Sequence, residues 1–216
     1  FLDPETANQF DVAYEWYFED GAMLSATAFF KDVEGSVINN QSTATRIDSR
    51  DSSVVDVTFV TPTNGKGSDV KGLEVGYQQE FDEFGVVANY TYTDAESRQD
   101  RDAVAAPGSG LVRGTSEHMY NLTGYYENNL LSARASYNYR SNYYDGLDAF
   151  GSELYTKEFA QMDASVTWHA AEDVDVVFEG VNLLGEKLEH YHIDESRTAR
   201  IYDNGTRLVV GVNYSF

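Results

Sequence analysis

The chain has 216 residues, no cysteine and a formal net charge of -21 at pH 7. Without cysteine there is no disulfide scaffold, no thiolate metal site and no Cys nucleophile, and so acidic a chain repels phosphates, which argues against nucleic acid as a partner. No run reaches the roughly 20 apolar residues of a membrane helix, but that says nothing against a membrane β-barrel, whose strands need an apolar residue only at every second position.

The chain opens on Leu2-Asp3-Pro4-Glu5-Thr6, which reads as a loop. No charged-then-apolar signal segment precedes it, so the sequence is expected to be the carboxy-terminal part of something longer. A first strand is predicted at 8–18, with Phe10, Val12, Tyr14, Trp16 and Phe18 on one face and Asp11, Ala13, Glu15 and Tyr17 on the other. A tight turn holding Gly21 leads to a second strand at 23–33, where Leu24, Ala26, Ala28 and Phe30 oppose Ser25, Thr27 and Lys31. A long connection, 34–69, follows, with one further β-like piece at 54–60. The third strand, 70–81, carries Leu73, Val75, Tyr77 and Phe81; after a turn at 82–85 the fourth, 86–93, carries Ala88, Tyr90 and Tyr92.

A polar loop at 94–115 precedes the fifth strand, marked by Tyr120, Leu122 and Tyr126. The short Asn128-Asn129 turn leads to the sixth, with Leu131, Ala133, Ala135, Tyr137 and Tyr139 against Arg134, Asn138 and Arg140. After a Tyr- and Gly-rich loop at 141–158 come the seventh, with Met162, Ala164, Val166 and Trp168, and the eighth, with Val174, Val176 and Phe178. A last loop, 184–205, leads to the ninth, where Leu208, Val210, Val212, Tyr214 and Phe216 alternate with Val209, Gly211, Asn213 and Ser215. That final run has the length of a tilted strand crossing a bilayer, about 10 residues.

Connections therefore alternate short and long, the asymmetry of an antiparallel transmembrane β-barrel with short periplasmic turns and long outer loops. Aromatics fall at both strand ends. Trp16, Phe18, Phe81, Tyr126, Trp168 and Phe216 lie toward the short turns, and Tyr90, Tyr92, Tyr120, Tyr137 and Tyr139 toward the long loops. Two aromatic girdles are what a bilayer selects. The other face, with Glu15, Lys31, Glu74, Asn89, Asn121, Arg134, Asn138, Arg140, Asp163, Glu179 and Asn213, would line a lumen. Bacterial single-chain barrels have even strand numbers, and an open edge in lipid costs several kcal/mol per unpaired backbone group. Nine strands are thus expected to be the last part of a larger all-β barrel. A soluble β-sandwich binding module is the alternative that the alternation alone leaves open.

With those residues in view, the chain resembles the carboxy-terminal part of the β-barrel of a TonB-dependent outer-membrane receptor, over essentially its whole length. The opening Leu2-Asp3-Pro4-Glu5-Thr6, the late Asn182-Leu183-Leu184-Gly185-Glu186 and the aromatic ending at Phe216 are similar to the family's pattern, in order and spacing. The segment 62–65 followed by Val70-Lys71-Gly72-Leu73-Glu74, and the run 112–121, look like the branch often linked to carbohydrate uptake. The resemblance implies a cell outer-membrane location in contact with outer-membrane lipid. It also implies partnership with the missing amino-terminal plug and barrel strands, coupling to TonB through that absent plug, and a small nutrient ligand. An oligosaccharide is the preferred ligand; a ferric siderophore, or a passive porin-like or structural barrel, is the alternative.

Candidate ligand contacts come from planar aromatic faces beside hydrogen-bonding groups, the chemistry that suits sugars. Arg140, Asn142, Tyr143, Tyr144, Asp145, Tyr155, His190, Tyr191 and His192 supply it from the outer loops and the lumen rim. His190 and His192 share a face of an extended segment, which suits a metal, although ordinary loop polarity is the favoured reading. Asp48, Asp51 and Asp56, and Asp94, Glu96, Asp100 and Asp102, suggest loop Ca2+. The interleaved Arg46, Arg50, Arg98 and Arg101 favour solvated loops instead. No catalytic constellation is visible and no enzyme is expected.

Overall fold

A computed structural model describes residues 1–99, 110–148 and 151–216. Among the described residues there are strands and no helix. They are β1 (Thr6–Glu19), β2 (Ala22–Glu34), β3 (Val37–Ile47), β4 (Val54–Asn64), β5 (Ser68–Phe81), β6 (Phe84–Ser97), β7 (His118–Glu127), β8 (Leu131–Arg140), β9 (Tyr143–Leu147), β10 (Glu153–Thr156), β11 (Phe159–Ala171), β12 (Val174–Val181), β13 (Leu188–His192), β14 (Asp194–Tyr202) and β15 (Arg207–Tyr214).

Nine of them form one antiparallel sheet in the order β1-β2-β5-β6-β7-β8-β11-β12-β15. These are the nine predicted strands, each paired with the next along the chain. A sandwich would stack two sheets over a dry core. Here the buried apolar side chains among the described residues are only Ala22, Tyr144, Leu154 and Tyr191.

Strand pairing sorts side chains by face. Phe10 lies opposite Phe30, Tyr14 opposite Ala26 and Trp16 opposite Leu24; Tyr90 lies opposite Tyr120 and Ala88 opposite Leu122. This apolar face is left open, with Phe10 at 69% and Leu208 at 74% exposure, as a lipid-facing wall requires. Both aromatic groups assemble. Near the short turns Trp16 and Phe18 rings lie 5.2 Å apart and Phe84 and Tyr126 4.7 Å apart. Near the long connections Tyr120 stacks on Tyr139 at 4.7 Å and on Tyr137 at 6.0 Å. At the short-turn end on the other face, His169 Nδ1 sits 2.8 Å from Asp175 Oδ1 and Nε2 3.2 Å from Ser132 Oγ, cross-linking β12, β11 and β8.

β1 and β15 each pair on one side only. In lipid, free edges would leave backbone N–H and C=O groups unpaired, so the nine-stranded sheet has the form of part of a larger barrel wall.

Four stretches differ from expectation. β6 continues to Ser97, past the predicted end at Thr93. Above the outer aromatic group both faces meet water, and alternation no longer marks a strand. The connection 34–69, expected to hold one β-like piece at 54–60, is the hairpin β3–β4, with eleven paired positions from Val37↔Asn64 to Ile47↔Val54. The loops expected at 141–158 and 184–205 contain a four-stranded sheet, β14-β13-β10-β9.

The hairpin base is clamped. Arg98 reaches Asp32 at 2.7 Å and Asp69 at 3.8 Å and donates to the Val33 carbonyl. Gly67, at φ +88°, passes so close that a Cβ there would lie 1.8 Å from the same carbonyl oxygen; only glycine fits both the angle and the gap. Asn64 donates to the carbonyls of Asp3 and Gly35 and accepts from Asp3 N at 2.8 Å, tying the opening loop to the hairpin.

Candidate ligand-contact site in the outer loops

The four-stranded sheet forms because two long connections, separated in sequence by β11 and β12, leave the same end of the barrel wall. β10 pairs with β9 and with β13, placing Tyr155 opposite both Tyr144 and Tyr191. The three rings form a run: Tyr144 to Tyr155 at 5.5 Å, tilted, and Tyr155 to Tyr191 at 5.4 Å, stacked. Tyr144 is 9% and Tyr191 7% exposed, so these rings are a small apolar core for the outer sheet. Asn142 Nδ2 donates to the Tyr191 hydroxyl at 3.2 Å.

The charged partners lie around that core. Arg140, the last residue of β8, stands over the Tyr143 ring at 3.8 Å. Its Nε donates to Ser116 Oγ at 2.7 Å and an NH2 group to the Gly114 carbonyl. Asp145 lies 3.7 Å from His190 Nε2 and 3.9 Å from the Arg113 guanidinium. His192 Nε2 is 3.6 Å from Asp148, and its Nδ1 3.2 Å from the Glu153 carbonyl. That contact makes Nδ1 the donor when the ring is neutral.

The nine residues picked from sequence are thus brought to one sheet and its root on β8. The two histidines do not share a site: each has its own aspartate. No group of three His, Asp or Glu side chains gathers as a metal site among the described residues. Four of the carboxylates suggested as Ca2+ ligands have protein partners. Asp48 holds Arg50 at 2.8 Å, Asp51 accepts from Ser53 N, Asp56 accepts from Thr45, and Asp94 pairs with Lys71 at 3.1 Å. Hydrogen bonds from Arg50 hold the Asp48 carboxyl below its ordinary value. Asp100, Asp102 and Arg101 lie outside the described residues.

His190 is 7% exposed, meets the Tyr202 ring edge-on at 5.7 Å and leaves Nδ1 buried without a hydrogen bond. Burial, then Arg200, holds its imidazole below its ordinary value, against the opposing pull of Asp145. The folded sheet therefore favours the neutral ring, while the unfolded segment takes a proton more readily. This contribution to stability is full above the ordinary histidine value of about 6.5 and is lost as pH falls below it toward the lowered folded value. Hydrogen exchange of β13 is expected to quicken, after correction for intrinsic rates, between pH 7.5 and 5.5. In His190→Gln that pH dependence should flatten; an unchanged dependence would refute the assignment.

Asn182 is the residue that sequence reasoning saw only as part of a motif. It sits at φ +54° just after β12, 8% exposed. Its backbone N donates to Asp163 at 2.8 Å, and its Nδ2 to the carbonyls of Glu186 and Gly205 at 2.9 and 3.2 Å. Its Oδ1 accepts from Glu186 N at 2.9 Å, and its carbonyl accepts from Thr206 Oγ1 at 2.8 Å. One side chain thereby fixes both ends of the excursion that carries β13 and β14. Tolerance of asparagine for the left-handed region in Asn182-Leu183-Leu184-Gly185 was the available signal.

Residues 1–183 match the family model described as "TonB dependent receptor-like, beta-barrel". No curated protein matches the sequence. Among solved structures, the siderophore receptor PiuA from Acinetobacter baumannii is 21% identical with a TM-score of 0.68, covering 99% of this chain and 29% of that one. A variant of the ferric enterobactin receptor PfeA from Pseudomonas aeruginosa is 15% identical with a TM-score of 0.68, covering 98% and 31%. The ferric yersiniabactin uptake receptor FyuA from Yersinia pestis is 16% identical with a TM-score of 0.66, covering 97% and 29%. At these identities the likeness is one of fold, and the chain spans 29–31% of the length of those three.

Proposed function

The chain belongs to the TonB-dependent receptor-like β-barrel family, and on that premise we propose that it forms the carboxy-terminal side of an outer-membrane receptor that takes up a small nutrient. In this reading the remaining strands and a plug are supplied from outside these 216 residues, TonB acts through the plug, and the apolar face meets outer-membrane lipid. The open edges of β1 and β15 support the need for further strands. The barrel wall and outer sheet bind and guide; they carry out no chemical conversion.

For the ligand we propose a neutral oligosaccharide. The supporting observation is electrostatic. The chain carries a net charge of -21, and Arg50, Arg98, Arg113, Lys157 and Lys187 already face carboxylates. A polyanionic chelate would meet mainly like charge, whereas a neutral polyol pays no such penalty. Arg140 stacked on Tyr143 offers a planar face with hydrogen-bond donors beside it, suited to a sugar ring. The three structural neighbours are receptors for siderophores or their ferric complexes, which makes a ferric siderophore the second reading.

Calorimetric titration of the full receptor in detergent separates the two. Saturable binding of neutral oligosaccharides, with none of ferric chelates, is expected. Binding of ferric chelates alone would overturn the ligand assignment while leaving the transport reading in place.

A further inference from the structure

The lumen side of the wall carries a row of uncharged amides. The pairings Asn89↔Asn121, Asn121↔Asn138 and Asn138↔Gln161 run straight across β6, β7, β8 and β11. Adjacent strands lie about 4.8 Å apart, so the row is roughly 14 Å long. On the fifth strand in line, Gly76 lies opposite Asn89. A Cβ there would come 3.2 Å from Asn89 Oδ1 and 2.6 Å from Ser25 Oγ, so the missing side chain leaves the Asn89 amide room to lie along the wall.

The three asparagine amides are unspent. Asn121 and Asn138 make no side-chain hydrogen bond among the described residues, nor does Asn89, and Asn89 and Asn121 are exposed. Gln161 donates from Nε2 to both oxygens of Asp163 at 2.9 Å, leaving its carbonyl oxygen to accept. One row below, Thr123 and Ser136 hydroxyls bond each other at 2.9 Å, and Asp163, opposite Ser136, ends that row in a carboxylate held by Gln161. Two residues above Asn138 on the same strand and face stands Arg140, which covers Tyr143. The row is therefore the next level inward from the outer site.

We propose that this amide row is a translocation subsite for a neutral polyhydroxylated ligand. It rests on the oligosaccharide reading above. Each asparagine amide presents a donor and an acceptor side by side, matching a hydroxyl group that is both, and Gln161 adds an acceptor. An uncharged row neither repels nor traps a neutral ligand, and three near-identical steps allow hydroxyls to be handed from one strand to the next. A fixed charge at this level would instead favour one resting position.

The test uses the full receptor in cells that possess TonB, with a radiolabelled neutral oligosaccharide. Asn121→Leu/Asn138→Leu keeps the branching of the side chain and removes both amides; Asn121→Ala/Asn138→Ala is the second variant should the first fail to assemble, as judged by the amount in the outer membrane. Surface binding in de-energised cells is expected to be unchanged, and uptake to fall about tenfold, the scale of one to two lost hydrogen bonds. Uptake at the wild-type rate would overturn the subsite. So would wild-type uptake accompanied by a ligand-free leak of a large antibiotic, which would mark the row as a seat for polypeptide. Failure of the wild-type receptor to take up any oligosaccharide would instead sink the ligand class on which the subsite rests.

Discussion

Asn182→Ala is expected to loosen the outer sheet while leaving the nine-stranded wall intact. The substitution removes three hydrogen bonds made by a buried amide, leaving Glu186 N, the Glu186 carbonyl and the Gly205 carbonyl without that partner. Each buried polar group left unpaired costs about 1–3 kcal/mol, and alanine in the left-handed region adds roughly 1–2 kcal/mol. Together these amount to roughly 4–11 kcal/mol, cut to about 3–6 kcal/mol where water replaces the amide. Exchange of β13 and β14 amides should quicken by a factor of about 100 or more, with β7 and β8 unchanged. Asn182→Gly separates the causes, since it relieves the backbone angle but not the lost bonds. Wild-type exchange in both variants would remove Asn182 from its position as organiser.

Tyr191→Ala is the second large effect. Tyr191 is 7% exposed, stacks on Tyr155 at 5.4 Å and accepts the Asn142 amide. Truncating a buried aromatic typically costs about 3–5 kcal/mol. Here it removes the centre of a core that has few other members. Tyr191→Phe removes only the hydroxyl and should cost about 1 kcal/mol. If the outer sheet holds ligand, calorimetry should show near-complete loss of binding in Tyr191→Ala and near-normal binding in Tyr191→Phe. Full affinity in Tyr191→Ala would mean that the ligand is held elsewhere.

The wall could be read from sequence because lipid enforces a rule on alternate positions. In β15, Leu208, Val210, Val212 and Tyr214 leave little choice of which face meets the bilayer. That rule lapses where both faces meet water. In β3, the run Asn39-Asn40-Gln41-Ser42-Thr43 has no apolar side, and its strand character comes from pairing with β4. The outer sheet was hidden for a related reason: β10 is only four residues long and is a strand through its neighbours β9 and β13. Composition picked out the Tyr- and His-rich segments, and the fold brings them together. It could not tell that Tyr144, His190 and Tyr191 would be buried, because that depends on β13 crossing to β10 from a distant connection. Asn182 stood in a recognisable motif, but its three side-chain bonds reach Glu186 and Gly205, the second 23 residues away.

The meander of the wall and the crossed pairing of the outer sheet imply different speeds of formation. Hairpins such as β5–β6 and β11–β12 close over two-residue turns and need little chain entropy, so the wall can zip strand by strand. The outer sheet must pair Thr156 with His190 and Tyr155 with Tyr191, contacts whose intervening segment is itself β11 and β12. Its closure therefore waits for that hairpin to be in place. The outer sheet is accordingly a late-forming unit on an early-forming wall, one able to open and reclose while the wall beneath it stays paired.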